Sequence, residues 1–307
     1  MDANVAWQAV LGEVRKHIAG KTEVIELMFI ALVANGHVLL EGMPGVAKTT
    51  MTKALADAIE ADFKRVQGTP DITTGDIVGY TYMDDATHQV ILKKGPIFSN
   101  MLLIDELNRM PQRTIAALLE ALEEKQVTIA GSDGSIPLMK PFIAYATQNP
   151  ISVEGTVTLP KVLADRFLMR VAVNYPSMEE EQEMLRLKET EMKVVTNKVI
   201  SLVDIIQFQG DMEKIKMPQN VINYVTRIVD ATRTDIHVIL GGSPRAEISF
   251  MRCGKARALI QGRTEVTIED IKFLAKPVLS HRLVVRSTGG IGVNGIIDGI
   301  VATLPES

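Results

Sequence analysis

Two short runs carry the residue types that phosphate chemistry needs. The first is Gly42-Met43-Pro44-Gly45-Val46-Ala47-Lys48-Thr49-Thr50. It follows an apolar stretch ending at Leu40 and opens a segment with helical spacing, the setting of a phosphate-binding loop. Such a loop turns backbone N–H groups around phosphate oxygens, and the helix N-terminus adds a favourable dipole. Lys48 is placed to reach terminal phosphates, and Thr49 to offer its hydroxyl to Mg²⁺. The usual glycine before the lysine is here Ala47, whose methyl group is strained wherever φ is positive. The second run, Met101-Leu102-Leu103-Ile104-Asp105-Glu106, is an apolar strand ending in two carboxylates. Asp105 is suited to hold Mg²⁺ through its waters, and Glu106 to orient and polarise an attacking water. Alone, the loop could be a glycine-rich helix start and the carboxylates a helix cap. Together they predict a nucleotide site at the carboxyl edge of a parallel sheet.

Three further polar residues stand where such a site needs them. Asn149, in Ala146-Thr147-Gln148-Asn149-Pro150, closes the next strand with an amide able to bond the γ-phosphate or the lytic water; Asn-Pro is also a turn signal. Arg166 precedes the last strand and offers a guanidinium for charge spread over a transferring phosphoryl group, or a salt bridge with a neighbour such as Asp165. Arg245, in Gly241-Gly242-Ser243-Pro244-Arg245-Ala246, falls in the first turn of a helix announced by serine and proline. A cation there opposes the helix dipole, which favours a functional role.

The elements that must position these residues follow from apolar spacing. Residues 5–35 read as helix with a break near Ala19-Gly20, and His37 to Leu40 as a buried strand. Thr49 to Ala61 and Thr114 to Glu124 read as helices. Phe63 to Val66, Met101 to Ile104, Phe142 to Ala146 and Phe167 to Val173 bring the strands to five. The alternation predicts an α/β layer with a parallel sheet covered on both faces. Tyr80 to Ile97 and Val127 to Met139 read as inserted β-hairpins, each with the alternative of an ordinary surface hairpin. After Asn174-Tyr175-Pro176 helical patterns dominate, at 178–190, 200–208, 218–233, 244–261 and 267–279. The expected division is 1–176 for the sheet domain and 177–307 for a smaller helical one.

Composition narrows the function classes. The 307 residues hold 33 Lys plus Arg against 37 Asp plus Glu, a net charge of −4 without the basic footprint of a general nucleic-acid binder. One cysteine and five histidines form no zinc-type cluster, and a single thiol suits a reducing, cytoplasmic setting. The first residues lack the pattern of a secretory signal. The stretch Val24 to Leu40 is interrupted by Glu26, Asn35, Gly36 and His37, so it reads as a buried helix and strand rather than a transmembrane segment.

With these residues in view, the sequence resembles the AAA+ ATPases, and within them the MoxR family. The resemblance rests on Glu41-Gly42-Met43-Pro44-Gly45-Val46-Ala47-Lys48-Thr49, Gly95-Pro96-Ile97-Phe98-Ser99-Asn100 and Leu103-Ile104-Asp105-Glu106-Leu107-Asn108-Arg109. It extends through Ala117 to Thr128, Ala146 to Pro150 and Gly242-Ser243-Pro244-Arg245-Ala246, and covers the chain from about Ile18 to Leu283. The resemblance implies an AAA+ P-loop fold, a five-stranded parallel sheet flanked by helices and followed by a helical lid. It implies ATP and Mg²⁺ as ligands. Lys48 and Thr49 match Walker A, Asp105 and Glu106 Walker B, Asn149 sensor 1, Arg166 an arginine finger acting on a neighbouring subunit, and Arg245 sensor 2. Ile18 and Ala19 match the adenine-side segment, where Lys21 replaces the family's usual glutamine. The family's pattern also has alanine at the Ala47 position, whereas Leu159 to Arg166 departs from its usual sequence before the finger. The hairpins resemble family insertions that face a ring axis.

By the same resemblance the chain is expected to be a chaperone-like ATPase in a homo-oligomer, a hexameric ring. It would remodel or mature a client protein, such as one carrying a von Willebrand factor A domain. A nucleic-acid motor or loader on the same core is the alternative; low aromatic content (5%) weighs against it and Lys93-Lys94 is the feature in its favour. A nucleotide-gated scaffold that hardly hydrolyses is disfavoured by Glu106, which binding alone does not need.

Overall fold

The structure is a computed structural model that describes residues 1–132, 134–150, 159–189, 195–286 and 292–306, with the side chains of Val162 and Lys188 left aside. The chain begins with α1 (Ala3–Arg15) and α2 (Thr22–Val33), then β1 (Val38–Gly42), α3 (Lys48–Ala58), β2 (Phe63–Gln67) and the short α4 (Thr74–Val78). The hairpin β3 (Gly79–Met83) and β4 (Val90–Lys94) leads to β5 (Met101–Asp105) and α5 (Gln112–Glu124). A second hairpin, β6 (Gln126–Thr128) and β7 (Ser135–Pro137), precedes β8 (Ile143–Gln148), α6 (Lys161–Ala164) and β9 (Met169–Val173). The remainder is α7 (Met178–Glu189), α8 (Leu202–Glu213), α9 (Gln219–Thr234), β10 (Val238–Leu240), α10 (Pro244–Ile260), α11 (Ile268–Leu279), β11 (Val284–Val285) and α12 (Val293–Thr303).

The sheet order is β2-β5-β8-β1-β9, and each paired neighbour is parallel. Side chains alternate between its faces as the pleat requires. Val38 and Leu40, Met101 and Leu103, and Ile143 and Tyr145 enter one apolar cluster, while Leu39, Leu102 and Ile104, and Ala144 and Ala146 enter another. The first cluster contains residues of α1, α2, α3 and α8 to α12; the second contains those of α5 and of both hairpins. Strands buried on both sides carry few polar positions, which is why they read as continuous apolar runs.

Helix α2 is buried nearly all round, as the stretch Val24 to Leu40 led us to expect. Trp7 of α1 stacks on Phe29 of α2 at 5.4 Å between ring centroids. His37, at the entry to β1, is buried. It accepts a bond from the Ala144 amide (2.9 Å) through Nδ1, which leaves Nε2–H to donate to the Leu122 carbonyl (2.9 Å). Burial and the nearby Lys125 and Arg252 push its pKa down to about 3, so the neutral ring pins β1, α5 and β8 together.

Besides the one-turn α6, four elements were not expected from spacing. Helix α4 is held by a capping box between Thr73 and Asp76. Helix α12 buries Ile296, Ile297 and Ile300 despite Gly295 and Gly299, and strands β10 and β11 form a small antiparallel ribbon among the last helices.

Candidate functional site

Gly42 ends β1 because nothing larger fits. A Cβ there would stand 2.3 Å from the Val173 carbonyl oxygen on β9. The loop then passes Gly45 at φ +85° and Ala47 at φ 63° before α3 begins at Lys48. Ala47 thus sits in the left-handed region that its methyl disfavours, as its place in the sequence implied. The first turn of α3 holds no acidic side chain, so its N–H groups remain available to an anion. The Lys48 ammonium donates to the carbonyls of Gly42 and of Met43 (3.0 Å). Burial pushes its pKa down, and Asp105 and Glu106 partly restore it.

Asp105 leaves β5 beside the loop. One carboxylate oxygen is 3.4 Å from the Thr49 hydroxyl and 2.7 Å from Arg65 Nη2; the other accepts from Thr147 at 2.5 Å. Glu106 follows at φ 55°, and its backbone N–H donates to the same Thr147 hydroxyl (2.9 Å). Thr147 thereby orients both acidic residues. The Glu106 carboxylate accepts from Arg109 (2.6 Å) and Gln67 (3.2 Å). Gly68 allows this sharp exit, since a Cβ would stand 2.3 Å from the Glu106 carbonyl oxygen.

Residues 44–50, Asp105, Glu106, Thr147 and Asn149 line one pocket of about 380 Å³. Its metal-facing donors are a hydroxyl and a carboxylate. Mg²⁺ is a hard cation that takes one or two protein oxygens and keeps several waters, so this pair fits it. No group of three or more His, Cys, Asp or Glu suited to a metal occurs among the described residues. Thr147, Arg65 and Gln67 were missed by sequence reasoning. Thr147 carried a signal, as a hydroxyl at a strand end beside Asn149; Arg65 and Gln67 reach the acidic pair only because β2 and β5 pair in register, with Gln67 opposite Asp105.

Arg166 and Arg245 lie elsewhere. They line a different pocket of about 380 Å³, with Lys125, Asp165, Arg252 and Arg282 among its walls. Arg166 pairs with Glu123 at the end of α5 and donates to the Leu119 carbonyl (3.3 Å). Arg245, half exposed in the first turn of α10, pairs with Glu123 at 2.9 Å and lies 3.9 Å from Asp165. The structure therefore brings the two arginines together, but not to the loop of their own chain. Ile18 and Ala19 are buried between α1 and α2 and line neither of these two pockets. Glu180 of α7 closes over the next residues, bonding the Lys21 ammonium at 3.1 Å. The segment 151–158, between Asn149 and α6, lies outside the described residues.

A parallel β2-β5-β8-β1-β9 sheet with Lys48, Thr49, Asp105 and Glu106 at its carboxyl edge, followed by a helical lid, defines an AAA+ P-loop ATPase fold. The model of the ATPase family associated with various cellular activities matches residues 37–169, and that of the AAA lid domain residues 230–291. Chaperone MoxR1 of Mycobacterium tuberculosis is 37% identical over 282 residues, covering 89% of this chain and 74% of that protein. The uncharacterized protein YeaC of Bacillus subtilis is 39% identical, covering 96% and 94%. A crystal structure of a candidate ATPase from Cytophaga hutchinsonii superposes with a TM-score of 0.90 at 34% identity, covering 99% of this chain and 95% of that one. The chain belongs to the MoxR family of AAA+ ATPases.

Proposed function

We propose that the protein hydrolyses ATP in a homo-oligomeric ring, a hexamer, and uses the cycle to remodel or mature a partner protein in the cytoplasm. The observation that carries this reading is the convergence of Lys48, Thr49, Asp105 and Glu106 in one pocket. The first turn of α3 and Lys48 would bind the phosphates. Thr49 and Asp105 would hold Mg²⁺, which supplies charge neutralisation across the β- and γ-phosphates. Glu106 would orient the lytic water, and Asn149 would fix it or the γ-phosphate. Arg166 and Arg245, paired away from the loop of their own chain, would serve the ATP of the adjacent subunit.

The remodelling role draws on the family and on the name chaperone carried by the mycobacterial relative. A von Willebrand factor A domain protein is the proposed client class. Among the described residues no helix is long and apolar enough to cross a membrane. Lys93 and Lys94, the residues favouring a nucleic-acid motor, stand 5.5 Å and 5.1 Å from the rings of Tyr80 and Phe98. The test is ATP binding and hydrolysis by the parent and by Lys48→Ala, followed by pull-down with Glu106→Gln in ATP. Unchanged ATP affinity in Lys48→Ala would overturn the phosphate-loop assignment; a nucleic acid in place of a protein in the pull-down would overturn the client reading.

A further inference from the structure

Arg282 follows α11 and is only 5% exposed. All three nitrogens of its guanidinium are engaged. Nε donates to Asp165 (3.0 Å), Nη1 to the carbonyls of Leu168 (3.3 Å) and Val278, and Nη2 to the Phe167 carbonyl (2.9 Å) and the Ser249 hydroxyl (3.0 Å). His281 beside it reaches the same Phe167 carbonyl at 3.0 Å. One side chain therefore grips the turn 165–168, which carries Arg166.

The other end of this contact leads to Arg245. The Ser249 hydroxyl, which accepts from Arg282, donates its own proton to the Arg245 carbonyl at 2.8 Å. Asp165 closes the circuit, because its second oxygen accepts from Ser243 (3.4 Å) and lies 3.9 Å from Arg245 Nε. A buried guanidinium is costly to desolvate unless every donor is met, and its planar fork holds partners on different edges at fixed spacing. Here those partners are the two segments that bear Arg166 and Arg245.

We infer that Arg282 is a positioning residue that sets the spacing of Arg166 and Arg245, so that the two guanidinium groups meet a phosphate chain as one unit. The inference rests on the proposal that these arginines act on ATP. Displacement of a charge-stabilising group by about 1 Å costs on the order of 100-fold in rate, whereas ground-state binding through the phosphate loop is untouched. Arg282 therefore acts on kcat through two residues whose backbone segments it holds.

The experiment uses the full chain, with folding checked by thermal melts and turnover measured on saturating ATP in assembled protein. Arg282→Lys keeps the charge but cannot bridge Asp165, Phe167 and Ser249 together; Ser249→Ala removes only the link to α10. Arg282→Lys is expected to lower kcat about 10- to 100-fold and Ser249→Ala about threefold or more, with KM for ATP within twofold. In an Arg166→Ala/Arg245→Ala background neither substitution should lower single-turnover hydrolysis further. Normal kcat in both folded variants overturns the inference, as does a full-sized effect that persists when Arg166 and Arg245 are both replaced. If Arg282→Lys does not fold, Ser249→Ala decides alone by the same measures. Arg166→Ala with parental kcat would instead overturn the arginine assignment itself, a separate reading from the same plate.

Discussion

Arg166 and Arg245 divide the carboxylate of Glu123 between them, Arg166 on one oxygen and Arg245 on the other at 2.9 Å. The turn before β9 and the first turn of α10 thus converge on the last turn of α5. Partly exposed ion pairs of this kind are worth about 0–1 kcal/mol each, so exchanging one carboxylate for a polyphosphate meets little resistance.

For Arg166 the expected outcome of Arg166→Ala is near-normal ATP binding with hydrolysis slowed by about 10³–10⁵, the range of arginine fingers in related NTPases. Mixing Arg166→Ala with Lys48→Ala should restore part of the activity, because one variant supplies the arginine and the other the intact loop. Parental activity that stays constant on dilution into monomer would exclude action across an interface.

Glu106→Gln keeps the side chain within reach of Arg109 and Gln67 and removes the charge that polarises water. ATP should still bind, while turnover falls by roughly 10²–10⁴. Nucleotide affinity and steady-state hydrolysis measured together check this, and unchanged turnover would move the base elsewhere.

Ala47, at φ 63°, carries a strain of about 1–2 kcal/mol that glycine would not feel. Glycine returns about 0.4–1 kcal/mol of that to the unfolded chain as entropy. Ala47→Gly should therefore stabilise by about 0.5–1 kcal/mol, and Ala47→Val should destabilise, since a branched side chain tolerates this region least. Urea midpoints at constant slope test the order Gly > Ala > Val.

Acid should weaken the fold before its carboxylates titrate. His37 is held neutral with a pKa of about 3, and burial also drives His281 well below the usual histidine range. Below about pH 6.5 the unfolded chain binds protons at both sites while the native chain does not, so stability falls with pH. The slope approaches about 1.4 kcal/mol per pH unit for each ring. Urea unfolding between pH 7 and 5 measures it, and His37→Gln, which ends that site's titration, should flatten the curve.

Most of the sheet and the clustering of the candidate phosphate-site residues were legible because each rests on local chain. The loop 42–50 is one continuous segment, and Asp105-Glu106 is the exit of one apolar strand. Arg65 and Gln67 were not legible, since their contact with the acidic pair depends on strand register, a long-range fact. The meeting of Arg166 with Arg245 is likewise tertiary. Helix α12 escaped notice because its glycines lower helix propensity, although Ile296, Ile297 and Ile300 kept the spacing. Helix α4 is so short that its cap, rather than any periodicity, defines it.

The apolar cluster on one face of the sheet runs without a break from Trp7 and Phe29 through Leu40 and Met169 to Phe250 and Leu274. It crosses Pro176, the point at which the sequence changes character. Helix α10 packs on α1 and α2, and α11 on β9. Swinging the lid away as a hinged flap would hydrate that shared interior, at about 25 cal/mol for each Å² uncovered. Movement of the chain as one body leaves it dry. A chain nicked at Pro176 would accordingly stay together through that interior, whereas neither part produced alone would be a free-standing domain.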